Sequence, residues 1–96
     1  MTNDHALARR MLADMFLYYR LRPHGFAEGA VAGCPKADFA SARLRLAILL
    51  DRAPDDPRTD ELIDTGWRVL ALSGAQVRDD PGSIRQSLLD TAQALA

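Results

Sequence analysis

Apolar residues recur every three or four positions in four segments of this sequence, which is the spacing of an amphipathic helix. This pattern, with the residues that start and stop helices, predicts helices over about residues 4–21, 36–53, 57–73 and 83–95. The intervening residues 22–35 contain three glycines and two prolines and are predicted to form a loop. No segment shows convincing strand alternation. The sequence therefore predicts an all-α single domain, built as a four-helix bundle or as helical hairpins.

The ends of the predicted helices carry recognisable signals. Pro23 ends the first helix, because the residue before a proline disfavours the α conformation. Asp56 as cap, with Pro57 at the first helical position, is a favoured start for the third helix. Ser83 followed three residues later by Gln86 forms a capping box, which predicts the start of the fourth helix.

The second predicted helix is apolar on two faces. Phe39 and Leu50 belong to its main stripe, whereas Leu44 and Ile48 lie on another side, so it is predicted to be the central helix. Gly66 falls inside the third predicted helix, where a close helix crossing would explain it. The predicted core combines the apolar stripes of all four helices: Leu12, Phe16, Phe39, Leu46, Leu50, Ile63, Trp67, Leu70 and Leu88.

Composition narrows the class of protein. The chain has 96 residues, 48% of them apolar and 26% charged, as in a folded globular domain. No apolar run approaches the ~18 residues of a membrane span, and no secretory signal is visible at the start. The single cysteine excludes an internal disulfide and fits a reducing compartment. We therefore expect a cytoplasmic protein without a membrane partner.

Charge is distributed unevenly along the chain. Residues 1–53 carry eight basic and five acidic side chains, whereas residues 54–96 carry four basic and eight acidic ones. The resulting net charge of −1 argues against a globally basic nucleic-acid binder. The asymmetry itself can orient a partner or a second copy of the chain, unless the two halves attract each other within the fold.

Few residues are suited to catalysis or metal binding. The spacing of His5, His24 and Cys34 matches no zinc pattern. Three acidic clusters near predicted helix starts lack the alternating oxygens and glycine of a calcium loop, and helix capping already explains them. The sequence therefore predicts that the protein is not an enzyme and has no catalytic residue, no metal and no cofactor.

An acid and an aromatic residue open the second predicted helix, an alanine follows three positions after the aromatic, and a proline with an aspartate closes the unit. These positions and the apolar ones that accompany them are Asp38, Phe39, Ala42, Leu46, Leu50, Pro54, Asp56, Ile63 and Trp67. Residues 37–67 thereby resemble a tetratricopeptide repeat. The resemblance implies helical hairpins and the role of small bacterial chaperones or adaptors, which hold another polypeptide. The chain departs from the family in its long loop and in Asp64, where a glycine is expected.

The first predicted helix carries a wide apolar face, rich in methionine and tyrosine, that either forms the core or binds a partner. The predicted partner-binding residues are Met11, Met15, Tyr18, Tyr19 and Phe26. We expect a non-enzymatic protein-binding module that holds a helical segment of a protein partner, or of a second copy in a homodimer. The segment is expected to lie in a groove between the first and second predicted helices.

A nucleic-acid-binding regulator is the alternative function. Its predicted contact residues are the arginines of the first two helices, Arg9, Arg10, Arg20, Arg43 and Arg45. A recognition helix normally presents polar residues outward, and the second predicted helix is too apolar for that role.

Overall fold

The computed structural model describes residues 4–51 and 55–96 and shows a mixed α/β fold. Its elements in chain order are α1 (Asp4–Phe16), a 3-10 turn (Arg22–His24), β1 (Phe26–Glu28), β2 (Phe39–Ser41), β3 (Leu46–Leu50), α2 (Pro57–Asp64), β4 (Arg68–Leu72), α3 (Gly74–Asp79) and α4 (Pro81–Leu95). The prediction of an all-α domain, whether bundle or helical hairpins, is therefore wrong.

The four strands form one mixed sheet in the order β1-β2-β3-β4. The first three strands are antiparallel neighbours, and Phe39 lies opposite Ile48. β3 and β4 run parallel, with Ile48 beside Leu70, and α2 forms the crossover between them. The helices α1, α3 and α4 pack against one face of the sheet and α2 against the other, so the sheet lies between two helical layers.

The segment predicted to be the second helix forms β2 and β3 instead. All five residues of β3, Leu46–Leu50, are buried, because helices cover both faces of the sheet at this strand. A strand buried on both faces loses its alternation and resembles a buried helix. Arg45 and Asp51, at its two ends, have φ values of 56° and 58°, in the left-handed region that a helix cannot pass through. Residues 52 and 53, where the predicted helix ends, lie outside the described residues.

The third predicted helix begins where expected and ends early. Asp56 caps α2 by accepting a hydrogen bond from the Arg58 N–H at 2.9 Å, and Pro57 is its first residue, which confirms the predicted start. Gly66 has a φ of 92° and turns the chain into β4, so it ends the helix and is not a helix-crossing contact inside one. The prediction of helix over residues 65–73 is wrong.

The outer helices also differ from their predicted bounds. α1 ends at Phe16, and tight turns replace the predicted helix over residues 17–21. α4 begins at Pro81 with Asp80 as its cap, which accepts from the Ser83 N–H at 3.3 Å, so Ser83 is not the capping residue. The predicted loop over 22–35 contains β1. The structure adds the short helix α3, which was not predicted.

The apolar core has two parts, one on each face of the sheet. The larger lies under α1, α3 and α4, and the smaller lies under α2. Burial confirms seven of the predicted core residues: Leu12, Phe16, Phe39, Leu46, Leu50, Trp67 and Leu88. Leu70 is half-buried against the larger part, whereas the prediction for Ile63 is wrong, since it is 56% exposed. No helix within the described residues is long and apolar enough to cross a membrane.

Candidate functional site

The structure separates the residues predicted to bind a protein partner. Met11, Met15 and Phe26 pack against the larger part of the core, where the Phe26 ring stacks on the Phe16 ring at 4.6 Å between centroids. Tyr18 is half-buried, and Tyr19 remains exposed. The predicted groove between the first and second helices does not form, because the second helix is replaced by β2 and β3. Binding of a protein by these five residues stays a prediction.

Three of the five predicted nucleic-acid contacts have partners within the fold. Arg9 is paired with Asp38, as described below. Arg43 donates a hydrogen bond to the Pro23 carbonyl at 3.0 Å. Arg45 donates to the Thr65 carbonyl at 3.0 Å and lies 4.7 Å above the centre of the Trp67 ring. Only two members of the predicted patch, Arg10 and Arg20, are exposed without such a contact in the described part of the chain.

Asp38 is a buried carboxylate at the start of β2. It accepts a hydrogen bond from the Arg9 guanidinium at 2.9 Å and another from the Leu50 N–H at 2.8 Å. Arg9 also lies 3.5 Å from the Glu28 carboxylate and 5.0 Å above the centre of the Phe39 ring. The ion pair between Arg9 and Asp38 joins α1 to the sheet. The Asp38 carboxylate is bonded within the fold, so its role is structural.

Asp51, directly after β3, holds the start of α3 and the first turn of α1. Its carboxylate accepts from the Gly74 N–H at 2.7 Å and lies 2.9 Å from His5 Nδ1. These bonds, first that of Gly74 and then that of His5, hold the pKa of Asp51 below its ordinary value. A Cβ at position 74 would lie 2.5 Å from the Asp51 carboxylate, so any other residue there would force the carboxylate to shift.

The remaining chemical candidates do not come together. Cys34 is buried in the smaller part of the core, and burial raises the pKa of its thiol, which disfavours the reactive thiolate. His24 lies elsewhere, beside Arg20 and Leu89. Within residues 4–51 and 55–96, no group of three or more His, Cys, Asp or Glu side chains is arranged to hold a metal ion.

A groove of about 810 Å³ runs along the outer side of β4. We call it the edge groove. Ile63 and Trp67 line it on the α2 side, whereas Leu70 and Leu95 line it on the α4 side. Its polar side chains include Arg68 and Asp90. The groove therefore spans both faces of the sheet at the outermost strand, and its walls are mostly apolar.

The backbone of β4 presents hydrogen-bonding groups to this groove. The Arg68 N–H donates to the Arg45 carbonyl at 2.8 Å, and the Leu72 carbonyl accepts from the Asp51 N–H at 2.9 Å. Residues 68, 70 and 72 therefore bond to β3, since successive residues of a strand point their backbone groups to opposite sides. Val69 and Ala71 direct their N–H and C=O groups outward, and β4 has no further strand beside it within the described chain.

Sequence reasoning missed the edge groove and both aspartate contacts. The partners of Asp38 and Asp51 are 29 and 23 residues away, in Arg9 and Gly74, so no local spacing reveals them. The signal for β4 was weak: after Gly66, residues 67–72 form a short, mostly apolar run, which suits a buried helix segment as well as a strand.

Comparison with known proteins identifies no relative: no family model, no curated protein and no solved structure matches this chain. The resemblance of residues 37–67 to a tetratricopeptide repeat is therefore untested by these comparisons.

Proposed function

We propose that this chain is a protein-binding module that takes up an extended segment of another polypeptide along β4. The observation that carries the proposal is the pair of residues Val69 and Ala71, whose backbone groups face outward from β4. Val69 lines the edge groove, and Ala71 follows Leu70, the last residue of β4 that lines it. An added strand would pair with both residues and continue the sheet, which is a recurrent mode of peptide recognition. The segment bound is extended, in contrast to the helical segment expected from the sequence.

Hydrogen bonding supports this mode of binding. Val69 and Ala71 offer two N–H donors and two carbonyl acceptors to one added strand. Each such bond contributes about 0.5–1.5 kcal/mol net, because the same groups are otherwise bonded to water. These bonds supply affinity for any extended backbone, so sequence selectivity must come from the walls of the groove.

The apolar walls support the proposal in a second way. Ile63 is 56% exposed and Leu70 and Leu95 are half-buried, so an added strand with apolar side chains would remove further apolar surface from water. Ala71 is exposed and small, which lets another backbone approach closely. Because the side chains of a strand alternate between its faces, a bound segment would contact Ile63 on one side and Leu95 on the other.

The sequence of β4 lacks the usual devices that protect an exposed edge. Natural edge strands are often very short, or contain proline, lysine or a bulge. β4 has five residues, and Arg68 at its start is its single charged side chain. At the opposite edge of the sheet, β1 has three residues and ends at Glu28. The contrast favours β4 as the edge that is kept open for a partner.

The test uses Ala71→Pro, which removes the outward N–H while leaving the bonds to β3 intact. Leu70, the preceding residue, is already extended, as a residue before proline prefers. Ala71→Val is the matched control, since it keeps the N–H and suits a strand. Displayed peptides of twelve residues are selected on the wild-type chain, and synthetic copies are then measured with all three proteins by fluorescence anisotropy.

We expect Ala71→Pro to weaken peptide binding by roughly ten-fold or more, because one hydrogen bond is lost and the ring obstructs the adjoining strand. Ala71→Val is expected to stay within roughly three-fold of the wild type. Urea unfolding checks that both variants are folded. Equal affinity of Ala71→Pro and wild type, or failure to select any peptide, would contradict the proposal.

A further inference from the structure

A second surface, on the far side of α4 from the edge groove, combines tyrosine and arginine. We call it the Tyr–Arg patch: Tyr18, Tyr19, Arg20 and Arg22 of the turn after α1, with Arg85 of α4. The Tyr18 and Tyr19 ring centroids are 4.8 Å apart, and the Arg85 guanidinium lies 5.1 Å from the centre of the Tyr18 ring. This packing covers Tyr18 and leaves Tyr19 71% exposed, as an aromatic surface open to a ligand.

The backbone holds the patch in a defined shape. The Leu21 and Arg22 N–H groups both donate to the Tyr18 carbonyl, at 2.8 and 2.9 Å. The turn therefore holds Tyr19, Arg20 and Arg22 within four consecutive residues of one fixed backbone segment, and all three side chains are exposed. The contact of Arg85 with Tyr18 adds a third cation from a separate element.

The arginines of the patch are not neutralised. Arg20, Arg22 and Arg85 are exposed, and in the part of the chain that the structure describes none of them forms an ion pair. This distinguishes them from Arg9, whose charge is paired with Asp38. The patch is therefore a local concentration of positive charge on a protein whose net charge is −1.

A small depression next to the patch offers hydrogen-bonding groups. It has a volume of about 230 Å³ and is lined by Arg20, His24, Leu89, Gln93 and Ala96. His24 Nδ1 is buried and has no hydrogen-bond partner among the described residues. The groups that line the surface of the depression and can bond to a ligand include the Gln93 amide and the Arg20 guanidinium.

We propose that the Tyr–Arg patch binds single-stranded nucleic acid. An unpaired base stacks on Tyr19, and Arg20, Arg22 and Arg85 contact the phosphates on either side. Exposed aromatic rings combined with free cations are the features with which proteins bind single strands without strong sequence preference. In a duplex the bases already stack on one another, so no base face is available to stack on the Tyr19 ring.

An anionic lipid surface is the other ligand that a positively charged patch could bind, but the polar groups of the patch favour a nucleic acid. One residue suits a membrane: Leu17, which precedes Tyr18 in the chain, is exposed and could insert into lipid. The Gln93 amide in the depression instead suits the edge of a base, because both the amide and the base edge carry donors and acceptors. The exposed Tyr19 ring can stack on a base, whereas a lipid phosphate has no flat face to stack on it.

The first experiment measures affinity for fluorescein-labelled dT12 by anisotropy at pH 7 and several salt concentrations. Three arginine–phosphate contacts predict a slope of log K against log salt of about −2, and hence a loss of roughly a hundred-fold between 20 and 200 mM salt. A matched twelve-base-pair duplex and vesicles of phosphatidylserine and phosphatidylcholine are measured in parallel. Binding to dT12 is expected to be the tightest of the three.

Variants assign the binding to the patch. Tyr19→Ala is expected to weaken dT12 binding by roughly ten-fold, whereas Tyr19→Phe keeps the ring and the affinity. Arg22→Gln is expected to reduce the salt slope by about 0.7. Arg58→Gln, on α2 at the other face of the sheet, is the control and is expected to change neither quantity.

Three outcomes would overturn the proposal. One is the absence of dT12 binding at 20 mM salt. Another is equal binding of duplex and single strand with no effect of Tyr19→Ala, which would leave charge attraction alone. The third is binding to the vesicles but not to dT12, which would assign the patch to a membrane surface. Circular dichroism of each variant excludes unfolding as the cause of a lost signal.

Discussion

The two parallel strands β3 and β4 lie side by side, yet they differ in what covers them. β3 has a neighbour on both edges and helices on both faces, and all five of its residues are buried. β4 has the same length, but Leu72 alone is fully buried in it, and its outer edge faces a groove. Two strands of similar composition thus have different roles: β3 stabilises the fold, whereas β4 also leaves backbone groups available for binding.

Position in the sheet, more than residue type, decides what a strand can do. Both segments are rich in leucine and alanine, and each follows an arginine or begins with one. The central strand satisfies its backbone within the protein, and the edge strand satisfies it on one side only. Four experiments test this difference.

The largest expected effect is the loss of a core side chain from β3. Ile48 is fully buried, so Ile48→Ala should lower the free energy of unfolding by about 3 kcal/mol, through lost burial and the cavity left behind. Val69→Ala, in half-buried β4, should cost about 1 kcal/mol or less. Urea unfolding of both variants measures the two values. A loss of about 2 kcal/mol or more for Val69→Ala would mean that β4 is covered as well as β3.

The next effect concerns the contact that joins the ends of the two strands. Gly74→Ala places a Cβ against the Asp51 carboxylate, and we expect a loss of about 1–3 kcal/mol in unfolding free energy. Gly82→Ala is the matched control, because a Cβ there meets nothing within 4 Å and alanine favours a helix. The control should be as stable as the wild type or more so. A harmless Gly74→Ala would show that Asp51 can move aside.

A smaller effect depends on pH. The pKa of Asp51 is lowered in the folded chain, chiefly by the Gly74 N–H, so its ionised form is bound more tightly there than in the unfolded chain. The stability it contributes is present above its unfolded pKa of about 3.9 and is lost as pH falls through the lower folded value. Asp51→Asn should therefore be less stable than wild type at neutral pH, with the difference narrowing below about pH 4. Urea unfolding at several pH values measures this, and a constant difference would contradict it.

The last experiment changes no residue. Amide protons of Leu70 and Leu72 point to β3, whereas those of Val69 and Ala71 point outward. We expect the inward pair to exchange with solvent more slowly than the outward pair, by roughly ten-fold or more, in hydrogen-exchange NMR of the unbound chain. A bound extended peptide should slow the outward pair. Uniform exchange along β4 in the unbound chain would show that its outer edge is already covered.

Part of the local structure could be predicted from the sequence. Asp56 and Pro57 start a helix because capping depends on residues that are neighbours in the chain. Leu12, Phe16 and Leu88 are buried as expected, since burial follows from apolar character in either a helix or a strand. The turn at Gly66 was visible as a glycine, but its left-handed conformation could not be distinguished from a tolerated glycine within a helix.

The strands and the candidate sites could not be predicted in the same way. A run such as Leu46–Leu50 suits a buried helix and a buried strand equally, and only neighbouring strands select between them. The pairing of Arg9 with Asp38 and of Asp51 with Gly74 joins distant parts of the chain. The Tyr–Arg patch likewise needs Arg85 of α4 to reach Tyr18, 67 positions earlier in the chain.

By itself the sequence determined the capped start of α2, most of the side chains that leave water, and that the net charge is −1. Those properties depend on single residues and on their immediate neighbours. The tertiary structure alone decided that β3 is central and β4 is at the edge, and therefore which backbone groups remain free. A strand's hydrogen bonds are made to another part of the chain, so which of them stay open is a property of the assembled sheet.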